Sequence, residues 1–187
     1  MILQKTANHA LSLPIKIVGV YICWKAFHYI AHVPGTWLAV KWQKICLVTG
    51  SFYAILTAWL LRSTNTLAAF ADGININLTE YNKQVWVQEH CLAIPAMVVF
   101  TGTVLLVKSP PGQKLWFIPL GLGGIVLINT LRLVFVSLAW VYLSEHFFNL
   151  HHSFIYTVVT YGFIFFMLAW WINRNTATAP ATQQHLT

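Results

Sequence analysis

Charge is what this chain has least of. Only 8% of its 187 residues are charged, and just four are acids. A soluble domain carries about 25% charged residues, so the composition excludes an ordinary water-soluble fold. The shortage of acids and the lack of an HExxH pair argue against a metalloenzyme. Cysteine is also scarce: Cys23, Cys46 and Cys91 are the only three. Their spacing gives no CxxC and no zinc framework, and their odd number leaves at least one thiol outside any internal disulfide. No internal repeat is present. The eleven Lys and Arg residues produce a formal charge of +7, but they are scattered, which argues against a nucleic-acid patch. In a membrane protein such an excess reflects topology and lipid headgroups. No cofactor or metal is expected.

What the chain does have is hydrophobic sequence: 58% of its residues, with a mean hydropathy of +0.66. Crossing a bilayer takes roughly 20 helical residues. The expected fold is an all-α membrane protein, a single domain over 1–174 with a bundle of four to five transmembrane helices. The apolar runs place helices at about 13–31, 45–61, 91–107, 115–143 and 152–173. The run 45–61 is short and either spans or lies in the outer interface. Pro34-Gly35 closes the first helix. Within the polar stretch 63–90, "GININL" alternates, "TEYNK" offers a turn and "VWV" resumes the alternation. That pattern predicts a β-hairpin over about 73–90, directly before Cys91. The N-terminal segment lacks a clean cleavage site and is read as retained. The polar tail 175–187 is expected to be disordered.

The basic loop "KSPPGQK" and Arg174 are placed in the cytoplasm by the positive-inside rule. The hairpin and the loop "SEHFFNL" then face outward. At 1.5 Å per helical residue, Arg132 lies roughly 27 Å beyond Lys114, Cys91 roughly 26 Å from Lys108 and His152 roughly 33 Å from Arg174. The hydrocarbon core is roughly 30 Å thick. Three separate segments therefore bring Cys91, Arg132 and His152 to one level near the outer boundary. A charge buried in a membrane is costly and usually faces the bundle interior with a partner. A neighbouring imidazole or fixed positive charge favours the thiolate of a cysteine. The imidazole can then protonate a leaving amine. The guanidinium, which stays charged, suits a carboxylate or a developing oxyanion. Together they make an acyl-transfer site, and its position suggests a membrane-anchored peptide as substrate.

Blander readings stand beside this one. A membrane cysteine is commonly a packing residue, as read for Cys23 and Cys46. Arg132 could snorkel to the outer surface, and His151 and His152 could simply start a helix at the interface. His28 and His32, spaced i, i+4, could pair with His151/His152 to hold haem in an electron-transfer subunit. A non-catalytic assembly or binding protein is a further alternative.

The ensemble resembles the exosortase/archaeosortase family of multi-pass prokaryotic membrane proteins. Alternating strands lead to a Cys that opens a helix ("ININL…VWVQEHC"). A basic loop follows, then a long helix with Asn-x-x-Arg ("INTLRL"), in which Asn129 precedes Arg132. A His then opens the last helix nine residues before Tyr-Gly ("HSFIYTVVTYG"). The resemblance implies Cys91 as nucleophile, Arg132 as its charged partner and His152 as acid/base; the Tyr161-Gly162 spacing favours His152 over His151. It implies a cysteine transpeptidase or protease in the prokaryotic cytoplasmic (inner) membrane, with its active site on the outer face. The implied clients are exported proteins carrying a C-terminal sorting signal: a motif, a transmembrane segment and a basic end. Many members follow the Cys with a small polar residue and then Gly or Ala. Here Leu92-Ala93 follow Cys91, and Glu89-His90 precede it as candidate supporting residues.

Overall fold

A computed structural model describes the backbone of residues 2–107, 109–143 and 145–177, and the side chains of 14–107, 109–143 and 158–174. Five helices run α1 (Ile2–Ala31), α2 (Trp37–Ser63), α3 (Ile94–Leu106), α4 (Pro111–Tyr142) and α5 (Glu145–Ala177). Between α2 and α3 lie three short strands, β1 (Ala69–Asp72), β2 (Asn75–Leu78) and β3 (Lys83–Trp86).

Each boundary has a local cause. Gly35 takes a φ of 79° after α1, a conformation that glycine adopts without steric cost. Thr36 then caps α2, its Oγ1 accepting the Ala39 N–H at 3.2 Å. α2 therefore starts eight residues before the expected 45, and Lys41 and Lys44 fall inside it. α4 begins at Pro111 rather than 115, because proline needs no N–H partner in a first turn. α5 begins at Glu145 rather than 152. The stretch expected as a loop contains no Gly or Pro to stop a helix, and an acid at the start suits the helix dipole. α5 also runs to Ala177, three residues into the expected tail; residues 178–187 lie outside those described.

The anticipated hairpin is two strands of a three-stranded antiparallel sheet of order β1-β2-β3. β2 pairs with β3 in the expected alternation, Ile76 opposite Val85. A 3-10 turn over Thr79–Tyr81 and a left-handed Asn82 make the reversal. β1 joins β2 through Gly73, with Ala69 opposite Leu78. Its four residues, Ala-Phe-Ala-Asp, bury little on either face, so the sequence alone does not reveal it.

α2 carries this sheet. Tyr53, Ala54, Ala58 and Leu61 pack with Ala69, Ile76 and Leu78, and Leu133 of α4 closes the same core. At Gly50 a Cβ would lie 2.9 Å from Ile74 Cγ2, so the bare glycine sets how closely helix and sheet approach. Lys83 donates to the Trp140 carbonyl at 2.8 Å and tethers β3 to the far end of α4. A second core joins α3, α4 and α5 around Phe100, Phe117 and Trp171. Gly121 receives the Phe100 ring, and a Cβ on Gly124 would lie 2.6 Å from Phe163 Cζ. Close helix approach over small residues is the packing that works in lipid.

Outward faces are apolar. Leu127, Leu131 and Phe135 on α4 and Phe165 and Phe166 on α5 are all exposed, which suits lipid and not water. Among the described residues two helices are long and apolar enough to cross a membrane, Trp37–Ser63 and Pro111–Tyr142; Ile94–Leu106 and Val158–Arg174 are shorter apolar helices.

Candidate active site

Cys91 does not open α3. It ends a 3-10 turn, Glu89–Cys91, and α3 starts three residues later with Pro95 in its first turn. The left-handed Ala93 separates the turn from α3, and Pro95 is tolerated in a first turn where helical N–H groups have no partner. The turn is closed by the Cys91 N–H donating to the Gln88 carbonyl at 2.8 Å and the Leu92 N–H to the Glu89 carbonyl at 3.1 Å. Cys91 itself is half-buried.

Two features fix this turn from below. Leu92 is 1% exposed and lies in the α2–sheet core. Ala93 takes the left-handed conformation, φ 54°, as the residue that caps α3. Such backbone costs a non-glycine residue of order 1–3 kcal/mol and is held only where the surroundings enforce it. Directly across, the fully buried Asn129 donates from Nδ2 to the Cys91 carbonyl at 2.6 Å. This bond joins α4 to the turn of the thiol. Arg132 follows three residues later on the same face of α4, roughly 4.5 Å further along the axis. It is half-buried, and its neighbour Leu133 enters the core shared by Leu92 and Cys91. The structure thus brings Cys91, Asn129 and the turn of Arg132 into one locality. α5, which carries His151 and His152 in its backbone, packs with α3 and α4; the two imidazoles lie outside the described side chains.

Glu89 and His90 part company. His90 is exposed. Glu89 turns toward α1 and α2, where two imidazole nitrogens and an indole N–H converge on it. His28 Nε2 is 2.9 Å from Oε1, His32 Nε2 is 3.1 Å from Oε2, and Trp42 Nε1–H donates to Oε1 at 3.0 Å. The two imidazoles stack with centroids 4.1 Å apart, and His32 Nδ1 meets the His28 carbonyl at 2.8 Å. Burial pushes the Glu89 carboxyl up, but the hydrogen bonds from His32, Trp42 and His28 together outweigh it and hold it below its ordinary value. The His28 carbonyl, and then Glu89, hold His32 above the ordinary imidazole value. The i, i+4 spacing of His28 and His32 is visible in the sequence, and Glu89 stands out beside Cys91, but the pairing of this carboxylate with histidines some sixty residues away has no local signal.

The family model for transmembrane exosortases (Exosortase_EpsH) matches residues 23–172. The chain belongs to the transmembrane exosortase family. It is therefore a membrane protein, in a family that is generally one of membrane cysteine peptidases and transpeptidases. No curated protein and no solved structure matches it. For this exosortase, the geometry gives the residues around Cys91 a physical meaning. Leu92, the bulky residue after Cys91, is buried in the core between α2 and the sheet. Ala93 occupies the position where many members have Gly or Ala, and its left-handed backbone is the reason a small residue belongs there. In the Asn-x-x-Arg element, Asn129 holds the backbone of the Cys91 turn and leaves Arg132 one helical turn away.

Proposed function

We propose that this exosortase-family protein cleaves C-terminal sorting signals of exported proteins by acyl transfer on Cys91. The thiolate Sγ adds to the scissile carbonyl. The Arg132 guanidinium stabilises the oxyanion that forms. The C–N bond then breaks, His152 gives its proton to the departing amine, and the acyl group remains on Cys91 as a thioester. Attack by water or by another nucleophile, deprotonated by His152, releases the product and restores the thiolate and the protonated imidazole. The observation that carries this reading is the Asn129–Cys91 bond. It ties the cysteine's turn to the α4 segment holding Arg132, two elements almost forty residues apart in sequence.

The setting is a bundle of four to five membrane helices in the prokaryotic cytoplasmic membrane, with the site on its outer face. α2 supports the sheet along one side, while Trp37, Val40, Val48 and Ile55 on its other side are exposed. α2 meets the sheet and the Glu89 turn along its length, through Trp42, Gly50 and Leu61, which favours α2 lying in the outer leaflet beneath the sheet over a fifth span.

Co-expression of the wild-type protein with a candidate client, followed by acid quenching, tests the reading. The expected product is a hydroxylamine-sensitive thioester between Cys91 and the client, absent in Cys91→Ala. Arg132→Lys, which lacks the planar fork, is expected to slow client processing about 10²-fold while leaving the protein folded. Normal processing by Cys91→Ala would remove the mechanism.

A further inference from the structure

The cluster at Glu89 is separate from the acyl-transfer chemistry. We propose that His28, His32 and Glu89 form a binding site for a divalent first-row transition metal ion, Zn²⁺ being the best fit. The argument begins with His32. A backbone carbonyl only accepts hydrogen bonds, so the 2.8 Å contact to His28 O requires the proton on Nδ1. Neutral His32 then presents a lone pair at Nε2. That lone pair faces Glu89 Oε2 at 3.1 Å, and an ionised carboxylate also only accepts. Two acceptors at that distance need a cation between them, either a second proton or a metal ion.

The surroundings favour the metal. A second imidazole, His28, converges on the same carboxylate, each ring facing its own oxygen. The rings lie 4.1 Å apart with planes tilted by 31°, and both Nε2 atoms reach the same carboxylate. The three residues each offer a donor atom, all within 4.8 Å of one another. A second proton on His32 would engage one imidazole with the carboxylate, whereas one divalent ion engages both imidazoles and the carboxylate together. Outer partners are already in place. The His28 carbonyl orients His32, and the Trp42 indole holds Glu89 Oε1 at 3.0 Å. Such contacts typically orient metal ligands. Two imidazoles and a carboxylate, with no thiolate, select a transition ion over Mg²⁺ or Ca²⁺ and leave one position open for water. Binding displaces the Nε2 protons and joins α1 to the turn before Cys91, with α2 behind it. The ion takes no part in bond making, and its binding does not depend on Cys91 being the nucleophile.

Equilibrium dialysis of the purified full chain in detergent against Zn²⁺ alone tests the site, with metal counted by elemental analysis. One saturable equivalent is expected in the wild type and in Cys91→Ala, Cys46→Ala and His90→Ala. Affinity should fall at least about tenfold in Trp42→Phe, and further in His28→Ala, His32→Ala and Glu89→Gln. Co²⁺ in the wild type should show visible bands of nitrogen and oxygen ligation without thiolate charge transfer. This arm needs no variant to fold. Absence of a saturable equivalent, uptake unchanged by His32→Ala and Glu89→Gln, or a thiolate signature in the Co²⁺ spectrum would each overturn the proposal. None of these readouts involves client processing, so failure here leaves the reading of Cys91 untouched.

Discussion

Ala93 shows how much a single backbone conformation decides next to the thiol. With φ at 54°, glycine fits there without steric cost, alanine fits with strain and a β-branched residue does not fit. Ala93→Gly is expected to leave thermal stability in detergent unchanged or slightly raised, and Ala93→Val to destabilise by about 1–3 kcal/mol. A second expectation concerns Asn129. Asn129→Ala strips the buried Cys91 carbonyl of this donor, a loss of about 1–3 kcal/mol. Client processing should fall more steeply than the melting temperature, because the turn of the thiol loses its tie to α4. Asn129→Leu, similar in volume, should not restore processing. At this scale the sequence was informative where chemistry is rare. One arginine in an apolar run and one cysteine after a strand pattern stood out, and depth counting put them at one level. The role of Asn129 as a backbone clamp, and the path of Glu89 to two histidines and a tryptophan, depend on contacts between distant segments that no local pattern encodes.

Among the elements, helix packing through glycine is the feature most open to test. The Phe100 ring rests on Gly121 and also packs against Phe117 at 5.5 Å, so it has little room to retreat. Gly121→Leu should therefore separate α3 from α4 and cost about 1–3 kcal/mol in a thermal unfolding measurement. Combining it with Phe100→Ala should recover part of that loss, an interaction that a double-mutant cycle would read directly. Elements with strong periodicity were legible: β2 and β3 from their alternation, and the apolar segments of all five helices. Helix starts were less so. Trp37, Pro111 and Glu145 lie four to eight residues before the points where hydrophobicity rises, because capping and proline geometry set them. β1 escaped because pairing with β2, rather than its own residues, makes it a strand.

For the molecule as a whole, sidedness is the testable property. In a chain with its native cysteines replaced, a single cysteine at Gln84 on β3 should react with a membrane-impermeant maleimide on intact cells. One at Gly112, at the start of α4, should react only after permeabilisation. The reverse pattern would invert the topology argued from the "KSPPGQK" loop.

The Asn129–Cys91 bond has a consequence at this largest scale. Because the Asn129 side chain ties the turn of Cys91 to α4, the height of the proposed nucleophile in the bilayer is set by how α4 sits between the two leaflets. A client strung through the same membrane is positioned by its own span, so the scissile bond meets the sulfur only when the two lengths match. Shortening or lengthening that span by one helical turn, about 5.4 Å, or changing lipid chain length in reconstituted vesicles, should detune the reaction as a mismatched ruler misreads a mark.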